Sequence, residues 1–197
     1  MGAASDEDIG EACRLARRVL EAERDDAETV RQAAWALFVL AGEAAMAAAA
    51  LDRALALNPN AAHAWSVRGI IHMARNQPDA AIEAIERARR LSPFDPSSFF
   101  YALNIALAHL TARRFEQAIE WADHALHGQP RMVAAIRVKV AANAHLGRLD
   151  AARAELNRLL AIYPKQTIAG LRAYAHFSPE VLELYVTGLR LAGLPEE

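Results

Sequence analysis

Residues 62–95 read AHAWSVRGIIHMARNQPDAAIEAIERARRLSPFD, and this stretch decides the fold. Apolar residues recur at helical spacing on both sides of Asn76-Gln77-Pro78, a cluster that interrupts the period. Pro78 suits the first turn of a second helix, where a missing backbone N–H has no partner to lose. Pro93 cannot continue that helix and marks its end. The unit therefore reads helix, short turn, helix, Pro. Two antiparallel helices joined by so short a turn approach closely only where side chains are small, which predicts contact of Gly69 with Ala81.

The same rhythm runs outward along the chain. Pro59, Pro93, Pro130 and Pro164 are separated by 34, 37 and 34 residues. Ala47, Ala81, Ala118 and Ala152 keep that spacing, as do Leu51, Ile85, Ala122 and Leu156, and then Ala54, Ala88, Ala125 and Leu159. Trp65, Gly69 and His72 correspond to Ala102, Ala106 and His109, so Ala106 is expected against Ala118. The three extra residues of the middle spacing then fall in Phe94-Asp95-Pro96-Ser97-Ser98, where a longer loop costs little. Further turns fall at Gly42-Glu43, Arg113-Arg114 and Gly147-Arg148.

These columns resemble the tetratricopeptide repeat, a 34-residue helix-turn-helix module with Trp, Leu-Gly, Tyr, Ala, Phe, Ala and Pro at fixed spacing. Residues 62–95 match best; 99–132 and 133–166 match well in their second halves and loosely in their first. Residues 27–60 carry Ala47, Leu51, Ala54 and Pro59, but their first helix (Val30, Ala33, Ala34, Leu37) fits only after a one-residue shift. His72 and His109 stand where Tyr is usual, and Val140 where a small residue is usual. The resemblance implies an all-α fold, a right-handed superhelix of about eleven helices in a single domain. Residues 1–26 form an N-terminal helix in this reading, a degenerate repeat or cap, with Ile9, Ala12, Cys13, Ala16, Val19 and Leu20 at helical period between Asp8 and Glu23. Residues 167–197 form capping helices: one from Thr167 through His176, and one opened by Ser178-Pro179-Glu180 and closed by Gly193. A solenoid needs its last apolar face covered, and this last helix can do it.

The whole, from the repeats to the ending, also resembles a narrower group, the C-terminal repeat arrays of bacterial class III adenylate/guanylate cyclases and some winged-helix regulators. Shared phrases are Leu55-Ala56-Leu57-Asn58-Pro59-Asn60, Leu91-Ser92-Pro93-Phe94-Asp95-Pro96, and the closing Gly188 to Pro195. No cyclase catalytic sequence lies in this chain.

In such an array the first helices of successive repeats line a concave surface. The faces turned away from the Trp65/Gly69 side carry His63, Ser66, Val67, Ile70 and Met73, then Phe100, Leu103, Asn104, Leu107 and Thr111, then Ala134, Arg137, Val138, Ala141 and His145. That surface is apolar, with Asn104 and Arg137 as isolated polar handles. Some relatives hold a peptide C-terminal carboxylate here with Lys, Asn and Arg. Asn104 fits such a clamp, but Ser66 and Leu103 fill the Lys positions, so none is expected. An apolar groove suits an amphipathic helix or an extended apolar segment. About 400 Å² of such surface left in water forgoes roughly 10 kcal/mol of burial. The occupant is a foreign peptide, the chain's own last helix, or a second copy in a homodimer.

Composition narrows the chemistry. The 197 residues are 54% hydrophobic and 7% aromatic, with a net charge of −2, and nearly a quarter are Ala. Ala is the strongest helix former, whereas a sandwich or an α/β enzyme draws on β-branched residues and Gly-rich loops. A charge near zero argues against general affinity for nucleic acid or an acidic membrane, although the residues before 61 sum to −5 and those after 130 to +3. The arginines at 87, 89, 90, 113 and 114 read as a solvated face. Cys13 is the one cysteine, and no stretch approaches the ~18 apolar residues of a membrane span, which points to the cytoplasm. His124 and His127 share a helix face without further ligands, so no metal is expected, and no Ser elbow, phosphate loop or dinucleotide loop occurs. The expected function is a non-catalytic scaffold, without cofactor, that binds a protein or peptide on the concave face. The alternative is a regulatory or dimerising C-terminal segment of a bacterial signalling protein such as a nucleotide cyclase.

Overall fold

The computed structural model describes residues 5–22, 26–174 and 177–197, and every regular element among them is helical. Their order is α1 (Asp6–Glu21), α2 (Ala27–Ala41), α3 (Ala44–Leu57), α4 (Ala62–Ala74), α5 (Pro78–Leu91), α6 (Ser98–Thr111), α7 (Phe115–Gly128), α8 (Val133–His145), α9 (Leu149–Ile162), α10 (Ile168–Tyr174) and α11 (Pro179–Ala192). Four hairpins, α2–α3, α4–α5, α6–α7 and α8–α9, stack as the repeats, and the first helices α2, α4, α6 and α8 also touch one another in turn. The sequence columns are the seams of this stack. Ala47, Ala81, Ala118 and Ala152 are all fully buried, as are Leu51, Ile85 and Ala122 in the next column and all four residues of the third.

Each second helix stops two residues before its proline. The cap residues Asn58, Ser92, Gln129 and Tyr163 have φ of −140°, −135°, −140° and −136°, extended conformations that the following Pro imposes by clashing with a helical predecessor.

The turns within repeats share a second signature. Gly42, Asn76, Arg113 and Gly147 keep the 34, 37, 34 spacing, and all are left-handed, with φ of 67°, 58°, 58° and 75°. Only Gly takes this conformation freely, and Asn tolerates it better than most. Arg113 is the exposed exception. Arg113→Gly is therefore expected to raise stability by about 0.5–1 kcal/mol, read as a higher urea midpoint at unchanged slope.

The one-residue shift of the first repeat has its cause at Gly42. In later repeats the first helix stops two residues before the left-handed position, and Gln77 N–H, for example, donates to His72 O across five residues. Here α2 runs to Ala41, and Glu43 N–H donates to Leu37 O across six. One extra helical residue fits into this wider turn. Fully buried Ala34 then takes the place that Gly69 has in the second repeat.

At the other junction the inserted loop is fastened by Asp95. Its carboxylate accepts from Ser97 N–H at 2.7 Å and Tyr101 Oη–H at 2.6 Å, bonds that hold it below the usual carboxylate range.

Both ends are covered. The first helix starts earlier than its apolar pattern shows, because Ser5 and Asp8 form a capping box, and it packs on α2. Thr167 Oγ1 accepts from Gly170 N–H at 3.0 Å to cap α10, and His176, the expected end of that helix, lies outside the described residues. Ser178 caps α11, with Pro179 in the first turn. The closing phrase is a packing device. Gly188 sits against the backbone of Ala141, and Gly193 (φ 101°) ends the helix in a left-handed turn. Leu194 is buried, and the carbonyls of Pro195 and Glu196 accept from Ile168 N–H and Ala169 N–H at 2.9 Å each. Thus α11 lies on α8, where the first helix of another repeat would stand.

Candidate functional site

The first helices and the C-terminal segment enclose a groove of about 870 Å³. Its floor is apolar because each first helix buries one face in its own hairpin and presents a second, still apolar, to the concave side. The structure brings Ser66, Val67, Ile70, Phe100, Leu103, Asn104, Leu107 and Arg137 together there. Asn104 Nδ2–H donates to Phe100 O at 2.8 Å, so one donor of this polar handle serves its own helix.

Five expected lining residues, His63, Thr111, Val138, Ala141 and His145, do not line the groove. Val138 is fully buried, because α11 seats Gly188 on Ala141 and covers this face of α8. His145 is covered by the same helix, its Nε2 lying 2.7 Å from Leu184 O and its ring stacked on Phe115 at 4.9 Å. His63 is exposed outside the groove, with Nε2 3.4 Å from Asp95 Oδ2. The last helix therefore occupies only one end of the concave surface and leaves the rest open.

The groove also has walls that the residue pattern did not single out. Trp35 lines it and is 38% exposed. Applying the one-residue shift places Trp35 in the column of Ile70 and Leu107, so the signal was present in the sequence. Tyr163, Lys165 and Gln166 come from the link after α9, and Phe177 and Tyr185 form the end wall, their rings 6.2 Å apart in an edge-to-face pair. These residues are distant in sequence from the first helices, and no local period reveals them.

The charges of the lining are cationic: Arg31, Arg137 and Lys165. Arg31 pairs with Glu28 at 2.6 Å, a hydrogen bond that holds the Glu28 carboxyl down at about 2. Arg137 Nη1–H donates to Gln166 Oε1 at 3.1 Å. Burial pushes the Tyr185 phenol up, against the opposing charge of Arg137. Among the described lining residues the titratable groups are thus three cations and two tyrosines, with no nucleophile and base in contact.

Stacked helix hairpins around an open concave groove define a helical-repeat protein. The tetratricopeptide repeat family model matches residues 37–96 and 103–167, most of the chain. The chain belongs to the tetratricopeptide repeat family. The match starts within α2, beyond most of the helix whose register is displaced. Among solved structures, PilW, described as a widely conserved type IV pilus biogenesis factor, aligns with a TM-score of 0.75 at 16% identity, over 94% of this chain and 82% of that one. MamA (41-end) from Desulfovibrio magneticus RS-1 aligns with a TM-score of 0.67 at 21% identity, over 81% and 88%. YrrB, described as a TPR protein with an unusual peptide-binding site, aligns at 0.59 and 19% identity, over 89% and 91%. At these identities the likeness is one of fold. No curated protein matches the chain by sequence. Among the described residues no helix is long and apolar enough to cross a membrane.

Proposed function

We propose that this chain is a non-catalytic scaffold that receives an apolar segment of a partner protein in its concave groove. The observation that carries this reading is the exposure of Trp35 (38%) and Phe100 (48%) in the lining of an otherwise apolar groove. Large aromatic side chains held on rigid helices are strong anchors for a docking segment, because little conformational entropy is lost when they are covered. A peptide-binding site in YrrB, a protein of similar fold, is consistent with this use.

The test is a measured affinity. Displayed random peptides selected on the intact chain are expected to lose at least tenfold in affinity to the Phe100→Glu variant, with its helical circular dichroism and melting unchanged. Phe100 is half exposed, so the substitution leaves the core alone. Affinities equal to those of the parent chain place the binding elsewhere and end this reading.

A second reading makes the chain a regulatory or dimerising segment of a bacterial signalling protein such as a nucleotide cyclase. It rests on the phrases at 55–60, 91–96 and 188–195, the last of which the cap of α11 also accounts for. The reading frames on either side of this sequence decide it.

A further inference from the structure

Burial of a charged side chain carries a cost that an opposite charge normally offsets. Half-buried Arg137 has no such partner among the described lining residues. It projects from α8 into the closed end of the groove, and its Nε is buried without a hydrogen-bond partner. The two polar side chains that meet it, Gln166 and Tyr185, are neutral. Gln166, 5% exposed, accepts from Nη1 and spends its own amide on Thr167 O at 3.2 Å. Tyr185 meets it from α11, and burial keeps that phenol protonated, so no anion comes from there. No Asp or Glu is among the described lining residues, and neither Arg137 nor Lys165 takes part in an ion pair among them. The contrast is with Arg31 at the other end, which Glu28 neutralises.

We propose that Arg137, flanked by Lys165, is the docking point for an acidic side chain of the segment bound in the groove. This inference rests on the groove being the binding site. The partner chemistry is then an apolar run with an Asp or Glu near one end. The position of the cations favours a side chain over a chain terminus. Tyr163 and Lys165 are exposed and line the groove beside half-buried Arg137, so a segment can continue outward on this side. The spacing follows from the stack. First helices lie 8–10 Å apart, so α2 and α8 are separated by roughly 25–30 Å. An extended segment covers that span in about eight residues, with an aromatic or aliphatic side chain near Trp35 and a carboxylate at Arg137.

The experiment pans two matched libraries of displayed dodecapeptides against the full chain, rich in apolar residues, one containing Asp and Glu and the other Asn and Gln instead. Binders are expected from the acidic library, with one acidic position recurring about eight residues from an aromatic one. As synthetic peptides with amidated C-termini they are expected to bind at least tenfold more weakly to Arg137→Gln, about two- to threefold more weakly to Lys165→Gln, and more weakly with added salt. Changing the recurring acid to its amide is expected to match the loss at Arg137→Gln, with no further loss when both changes are combined. This non-additivity is a readout that mere loosening of the fold does not give. Binders drawn equally from both libraries and indifferent to Arg137→Gln, yet sensitive to Phe100→Glu, overturn the carboxylate site and leave the groove standing. Binding that requires a free peptide C-terminus overturns the side-chain assignment. A dimer by light scattering that Phe100→Glu returns to monomer makes a second copy the occupant and overturns the proposal. An absence of binders from either library ends both readings.

Discussion

Gly188→Ala is expected to lower the stability of the chain by about 1–2 kcal/mol, although Ala is the better helix residue. A Cβ at position 188 stands 2.7 Å from both Cα and the carbonyl oxygen of Ala141, and 2.9 Å from its Cβ. These are backbone atoms of α8, so no rotamer change relieves the overlap, and α11 must move outward as a body. That movement loosens Tyr185, Val186 and Leu189, all buried against the last repeat, and uncovers Val138 and Ala141. Replacing Gly in a helix gains about 1 kcal/mol of propensity, and overpacking of this kind costs 1–3 kcal/mol or more. The clash outweighs the propensity because the contact is backbone to backbone. Urea unfolding followed by circular dichroism measures the balance, and limited proteolysis reports early release of the C-terminal segment. A variant more stable than the parent shows that propensity decides and that the α8–α11 contact is looser than described.

The second large effect is a coupling. Gly69→Ala brings its new methyl into overlap with Ile85 Cγ1, to 2.9 Å from Ile85 Cδ1 and to 3.0 Å from Ala81 O. Ile85 is fully buried and β-branched, so it cannot swing aside, and the expected net cost after the gain in helix propensity is about 1–2 kcal/mol. Ile85→Ala alone opens a cavity and costs about 2–4 kcal/mol. Together the two substitutions exchange volume across one seam, and the double variant is expected to be at least 1 kcal/mol more stable than the sum of the singles. Strict additivity in a double-mutant cycle would falsify the idea that Gly69 is retained for close approach of α4 to α5.

The seams of this fold were legible in the sequence because each is local. Residues 34 or 37 apart repeat one contact, and Pro93 or Gly42 acts within a few residues of itself. The groove was partly legible for the same reason: Ile70, Phe100 and Leu107 lie on helical faces that the period identifies. Val138 lies on an equivalent face, yet it is buried, because α11 covers it from some fifty residues further along the chain. Arg137 was recognised as a polar handle, but its setting depends on Gln166 and Tyr185, which no spacing rule brings to it. Trp35 was concealed by a single extra helical residue ahead of Gly42.

The place taken by α11 turns the groove into a ruler. Four first helices set its graduations, and the end wall of Phe177 and Tyr185 marks where a segment has to leave the groove. Inserting a fifth hairpin between Tyr163 and Thr167 moves that exit outward by one graduation. The length of segment held inside would then be a property of repeat number, separable from the side chains that recognise it.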